Sequence, residues 1–271
     1  MPELAEVEFY RRIWAEAIGS TVREVGFHPQ ARVFRGFDAP LDSLNLVAGA
    51  TLDQAMTHGK QLLFGFGPSG WLGLHLGMSG ELRTEPENHL PGRHDHLILR
   101  LSDRTLVFHD PRMFGRVRLS PGPTLPDWWT QLPPEVLSPL FTRARLEQFF
   151  LRRRGSPIKP LLLDQLAFPG IGNWMADEIL WRGRIHPATP AGQLTHASRD
   201  HLWRLTQEVA GDALRVIAPD WGEAPDDWLF NHRWKNGGHC PRPKCRSPLA
   251  REELRGRTSC WCPICQVLPR S

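Results

Sequence analysis

The apolar positions at the start of the chain fall at helical spacing. Leu4, Val7, Tyr10, Trp14 and Ile18 recur every three to four residues, which predicts a helix over 3–18 that Gly19 ends. Pro2 suits a first turn, and Glu3 and Glu6 favour the positive end of the helix dipole. The pattern then shortens. Val22–His28, Thr51–His58, Gln61–Phe66, Trp71–Met78, His96–Leu101, Thr105–His109 and Arg116–Ser120 are short apolar runs bounded by Gly, Pro, Asp or Ser, and roughly seven such strands predict a sandwich or barrel. Six prolines within 121–139 mark a joint. Beyond it the helical period returns: Thr142 is placed to cap a helix running to about Arg154, and further helices are predicted over 157–166, 173–182 and 196–217. The fold class expected is α+β: an N-terminal helix with a β-sandwich (1–125), a helical domain (126–230) and a short cysteine-bearing ribbon (231–271). A cleft between domains is the expected place for an active site.

Composition sharpens this in two places. From Asn231 onward the net charge is +7, whereas residues 1–230 carry −3, so the ribbon is the part that attracts a polyanion. Only four lysines stand among 29 arginines, which singles out Lys60 just ahead of an apolar strand. No apolar run approaches 18 residues and no basic-then-apolar leader is present, so a cytoplasmic chain with no membrane span is expected.

Four of the five cysteines cluster late, as metal ligands do rather than as a disulfide framework. In C240PRPKC245…C262PIC265 two pairs can close tetrahedrally on one zinc ion, and metal binding would supply much of the folding energy of so small a module. Cys260 competes for the third place. Cys262 is favoured because CPIC reads as a compact metal-binding turn.

Other stretches point to a nucleic-acid backbone. In F168PGIGNWMA the glycine-rich turn lets N–H groups at a helix start approach a phosphate, and Asn173 adds a side-chain donor. Lys60 sits at a strand edge, where a lysine is usually a solubility device but can also bind phosphate. Met78 lies in a Gly-flanked loop, and F108HDPRMFG115 leaves Arg112 and Phe114 on a turn tip suited to insertion into a base stack. If Met1 is removed, Pro2 becomes a secondary amine with carboxylates beside it.

Together these stretches resemble the formamidopyrimidine-DNA glycosylase / endonuclease VIII family of base-excision repair enzymes. The similarity runs in order through MPELAEVE, HGKQLLF, HLGMSGELR, DPRMFGRVR, LPPEVLSPLF, IKPLLLDQLAFPGIGNWMADEILWRGRIHP and GRTSCWCPICQ. The resemblance implies a bifunctional DNA glycosylase and abasic-site lyase acting on damaged double-stranded DNA as a monomer. Its helical domain would carry a helix–two-turn–helix motif, and its β-ribbon one structural zinc ion on Cys240, Cys245, Cys262 and Cys265. It implies that Pro2 attacks C1′ of the damaged nucleoside, that Glu3 moves protons, and that Glu6 helps hold the N-terminus. Lys60, counted with the catalytic group, would bind phosphate together with His75, Asn173 and Arg257. Met78, Arg112 and Phe114 would fill the gap left by the extruded nucleotide.

Three departures stand out. Ala5 replaces a common proline, the first cysteine pair encloses four residues rather than two, and 218–240 is unusually rich in Trp and Asp. Oxidised purines are the expected substrates, with oxidised pyrimidines the alternative. A helix-hairpin-helix glycosylase would rest on PGIGNWMA alone, and a non-catalytic zinc-ribbon DNA-binding protein would lack the amine or Glu3.

Overall fold

The computed structural model describes residues 1–28, 30–35, 41–234 and 236–269. The chain divides into two compact units, Met1–Leu132 and Pro133–Ser271.

The first unit is a β-sandwich with a helix on its side. Helix α1 (Leu4–Ala15) is followed by strands β1 (Glu24–Phe27), β2 (Gln54–His58), β3 (Gln61–Gly65), β4 (Gly70–His75), β5 (Glu81–Pro86), β6 (Asp95–Arg100), β7 (Arg104–His109) and β8 (Arg116–Pro121). They form two four-stranded antiparallel sheets, ordered β1-β6-β7-β5 and β2-β3-β4-β8. Leu62, Phe64, Leu72, Leu74, Leu97, Leu99, Leu106, Phe108 and Val117 fill the space between them. Burying such side chains is the main favourable term of the fold.

Helix α1 packs on β2 and β5, the strands that end the two sheets on one side. Its Trp14 is fully buried against Phe64, with ring centroids 4.9 Å apart, and donates its indole N–H to the Arg83 carbonyl at 3.2 Å. The helix therefore covers edges that would otherwise expose unpaired backbone groups.

Strand β5 has no counterpart among the strands expected from the sequence. Of Glu81–Pro86 only Leu82 is buried, so at a sheet edge the period-two signal shrinks to one apolar residue. β4 stops at His75, which leaves Met78 in the turn beyond it. A short helix α2 (Asp127–Thr130) lies in the proline-rich joint and lays Trp128 over Gly73, where a Cβ would sit 2.6 Å from the indole.

The second unit is helical with a terminal hairpin: α3 (Arg143–Leu151), α4 (Ile158–Leu162), α5 (Asn173–Arg182), α6 (His196–Val216), then β9 (Ala250–Leu254) and β10 (Arg257–Trp261). The Thr142 cap read from the sequence is present. Thr142 Oγ1 accepts the Arg145 N–H, and Thr195 does the same for Ser198 at the start of α6. α6 buries Leu202, Leu205, Val209 and Ala213, one helical face. α5 is different, because every residue from Trp174 to Trp181 is buried. Its Asp177 and Glu178 must therefore find partners inside the protein. None of the described helices is long and apolar enough to cross a membrane.

Candidate active site and metal-binding ribbon

In the first unit the N-terminal carboxylates cap their own helix. The Glu3 N–H donates to Glu6 Oε2 at 3.2 Å, and the Glu3 carboxylate takes the Glu6 N–H in return. Glu3 and Glu6 are 2% and 6% exposed, so both acids are held within the first turn, while Pro2 ahead of them in the chain is partly exposed. The next turn is tied to β2, where Thr57 Oγ1 donates to Glu8 Oε2 at 3.3 Å. Burial pulls the Glu8 carboxyl up, but Arg11 and Arg12 outweigh it and hold the group below its ordinary value.

Lys60 occupies the two-residue hairpin between β2 and β3, where Gly59 takes φ 58°, the left-handed conformation such a turn needs. It is buried, and its neighbour Gln61 pairs with His75 across β3 and β4. Burial pushes the His75 pKa down to about 4, assisted by the charges of Lys60, Arg116 and Arg118. Its ring is thus neutral at pH 7. Nδ1 accepts the Gly77 N–H at 3.0 Å, which leaves the proton on Nε2 as a donor.

Past His75, two turns meet. Met78 and Phe114 are each 37% exposed, and Arg112 is exposed with its guanidinium 4.9 Å from the Phe114 ring centre. Between them Met113 takes φ 53° and turns inward against the core, so Arg112 and Phe114 are left outside.

In the second unit Asn173 opens α5, and its Nδ2 donates to the Thr258 carbonyl at 2.9 Å, while Oδ1 takes no partner among the described residues. Thr258 follows Arg257, which is exposed beside the Arg255–Gly256 turn of the β9–β10 hairpin. Asn173 and Arg257 are thus brought together, 84 positions apart in the chain.

Sequence reading missed what holds them there. Lys159 Nζ bonds Asp177 Oδ1 and donates to the Thr258 carbonyl at 2.8 Å. Arg233 reaches Asp177 Oδ2 with Nε at 3.0 Å and Nη2 at 2.6 Å, and the Cys260 N–H adds a fourth donor at 3.2 Å. Lysine scarcity was the one available signal for Lys159; nothing in the sequence pointed to Arg233. Glu178 is paired as well, with Arg182 Nε at 2.9 Å and the Phe230 N–H at 3.1 Å. Burial nonetheless keeps its carboxyl above the ordinary range.

The sulfurs of Cys240, Cys245, Cys262 and Cys265 lie within 4.8 Å of one another. Four Zn–S bonds of about 2.3 Å at tetrahedral angles put sulfurs about 3.8 Å apart. The Cys245–Cys262 and Cys240–Cys265 separations, 3.5 Å and 4.0 Å, bracket that value, so the cluster fits a four-coordinate ion. The Trp181 indole N–H donates to Cys240 Sγ at 3.4 Å, and Ser247 Oγ lies 3.1 Å from Cys262 Sγ. Hydrogen bonds from the Ser247 backbone and hydroxyl lower Cys245 to about 6, favouring its thiolate. Cys260 stands apart on β10, buried against Asp177. Burial, then that negative charge, pushes its thiol up to about 11.

Comparison with known proteins gives the family of the chain. Residues 1–117 match the family model of the formamidopyrimidine-DNA glycosylase N-terminal domain, and residues 132–219 that of the formamidopyrimidine-DNA glycosylase H2TH domain. The chain belongs to the formamidopyrimidine-DNA glycosylase family. Its activity class is therefore that of a DNA glycosylase and abasic-site lyase of base-excision repair. The formamidopyrimidine-DNA glycosylase of Roseiflexus sp. (strain RS-1) is 36% identical, with 98% of this chain and 100% of the relative covered. That of Thermus thermophilus is 35% identical, covering 98% of each. Among solved structures, the Lactococcus lactis Fpg (MutM) bound to DNA containing an oxidised pyrimidine superposes with a TM-score of 0.85 at 26% identity, covering 98% of this chain and 100% of that one. A MutM bound to carbocyclic 8-oxo-G DNA gives 0.83 at 27%, with the same coverage.

Proposed function

We propose that this glycosylase excises oxidised purines from double-stranded DNA through the amine of Pro2 and then cleaves the strand by β- and δ-elimination. The observation that carries the reading is the buried, reciprocally bonded Glu3–Glu6 pair that follows Pro2 in the chain. Once Met1 is removed, Pro2 presents a secondary amine. An α-amino group titrates near pH 8, so a useful fraction is unprotonated in the cell. The nitrogen attacks C1′, the C1′–base bond breaks, and the base leaves with the proton that the amine gives up; the C1′–O4′ bond then opens, O4′ takes a proton, and the ring-opened sugar is left as an iminium on the Pro2 nitrogen. The resulting iminium acidifies the C2′ hydrogen, and Glu3, rigid within its capping box, relays protons to the sugar and from C2′.

Lys60, with neutral His75 donating from Nε2, binds phosphate in the first unit, and Asn173 and Arg257 bind phosphate in the second. Met78, Arg112 and Phe114 enter the duplex and offset part of the few kcal/mol that unstacking costs. Zinc on Cys240, Cys245, Cys262 and Cys265 supplies folding energy to the ribbon; four thiolates leave no open position for chemistry. In this reading 1–125 carries the chemistry, 126–230 the helix–two-turn–helix grip, and 231–271 the ribbon. The protein works as a monomer in the cytoplasm.

Borohydride trapping on abasic-site DNA tests the nucleophile. A covalent complex is expected with the processed enzyme and none when Met1 is retained. Equal trapping by both forms refutes the assignment of Pro2. Duplexes carrying 8-oxoguanine, a formamidopyrimidine or an oxidised pyrimidine then decide the lesion, and faster excision of the pyrimidine overturns the preference stated here.

A further inference from the structure

Met78 and the Arg112–Phe114 tip belong to different turns, yet one buried carboxylate serves both. Asp110 is fully buried. Its Oδ2 accepts the Gly115 N–H at 2.7 Å and its Oδ1 the Arg112 N–H at 3.3 Å, which closes the tip on itself. Oδ1 also accepts the hydroxyl of Ser79 at 2.7 Å, across 31 positions of sequence. That third bond is not needed to form either turn. The Met78 turn has its own closure, Gly80 N–H to Leu76 carbonyl at 2.8 Å.

The two backbones also touch. A Cβ built on Gly77, at φ 63°, would lie 2.4 Å from the Phe114 carbonyl carbon. Asp110 is itself anchored in the sandwich: its N–H donates to the His94 carbonyl at 2.9 Å, and its carbonyl lies 2.9 Å from His96 Nε2.

We propose that Ser79 is a positioning residue that, through Asp110, locks the Met78 turn to the Arg112–Phe114 tip, so that the three side chains enter a base stack as one rigid wedge. A hydroxyl donating to a carboxylate at this distance is a charge-assisted bond, stronger than a neutral one. Losing it frees the Met78 turn to move without the tip. Ser79 is only partly buried, and alanine there leaves Asp110 both of its backbone donors, so Ser79→Ala keeps the fold. The proposal rests on the insertion role given above to Met78, Arg112 and Phe114, and the experiment separates the two.

The probe is a duplex with one abasic site flanked by 2-aminopurine, whose fluorescence rises when the stack opens. Stopped-flow traces are taken with the processed, zinc-loaded enzyme. Ser79→Ala is expected to slow the rise about tenfold, the scale of one charge-assisted hydrogen bond. Borohydride trapping on an abasic single strand, where no stack has to be opened, stays within about twofold. In a double-mutant cycle with Phe114→Ala, the effect of Ser79→Ala shrinks, because a wedge lacking its tip has nothing left to coordinate. If neither Met78→Ala nor Phe114→Ala slows the rise, the insertion reading itself fails. If they slow it and Ser79→Ala does not, or if its effect adds fully to that of Phe114→Ala, the coupling is refuted. An equal loss on duplex and single strand also refutes it, because Ser79 would then act on the chemistry or the fold.

Discussion

Replacing Asp177 by asparagine tests what holds α5 to the ribbon. The side chain keeps its size and loses its charge. Lys159 and Arg233, 1% and 4% exposed, then remain as buried cations without the carboxylate that both engage. Removing one partner of a buried ion pair costs about 3–5 kcal/mol, because the remaining charge stays desolvated. Asparagine can still accept one hydrogen bond through its Oδ1, which places the expected loss near the lower end, about 3 kcal/mol. At about 2–4 °C per kcal/mol for a unit of this size, Tm should fall by roughly 10 °C. Urea unfolding of the zinc-saturated protein measures it, with metal content held constant because bound metal adds stability of its own. The control is Lys159→Met, Asp177→Leu and Arg233→Met together, which replaces the whole cluster by apolar groups and should recover most of the loss. If Asp177→Asn unfolds within about 1 kcal/mol of wild type, the cluster contributes little and the reasoning from burial is wrong.

Cys262→Ser should abolish the bound equivalent of zinc and Cys260→Ser should keep it, as metal analysis of the purified variants will read; equal zinc in both contradicts the sulfur cluster. Burial holds His75 at about 4 instead of about 6.5, so between those pH values the unfolded chain binds a proton that the folded ring refuses, and stability is lost as the pH drops from about 6.5 to about 4, by at most about 3 kcal/mol. His75→Gln should flatten that limb of a urea-midpoint profile, and an unchanged limb would show that the ring is free to protonate. Phe64→Ala, removing a fully buried ring packed against Trp14, should cost about 3–5 kcal/mol in denaturant unfolding, and a loss below about 1 kcal/mol would mean that the sandwich core closes over the gap.

Much of this protein follows from local pattern. The α1 spacing, the short apolar runs of β3, β4, β6, β7 and β8, the Thr142 cap and the change at the proline-rich joint are all short-range signals, because each is written in a few neighbouring residues. The family was legible for a related reason: the short stretches around Pro2, Glu3, Lys60 and Asn173 carry the resemblance, and family models match residues 1–117 and 132–219. β5 escaped because an edge strand with one buried side chain has almost no period to read.

Tertiary structure decided what lies between distant positions. Sequence alone set Cys260 and Cys262 in competition; packing of β10 on α5 turned Cys260 toward Asp177 and left Cys262 with the other three sulfurs. Lys159, Asp177 and Arg233 form one cluster, and Ser79 meets Asp110, over separations that no window of sequence spans. Hydrophobic periodicity records which side of an element faces inward. It does not record which element it meets there, and the partners of buried charges are set only when the layers close.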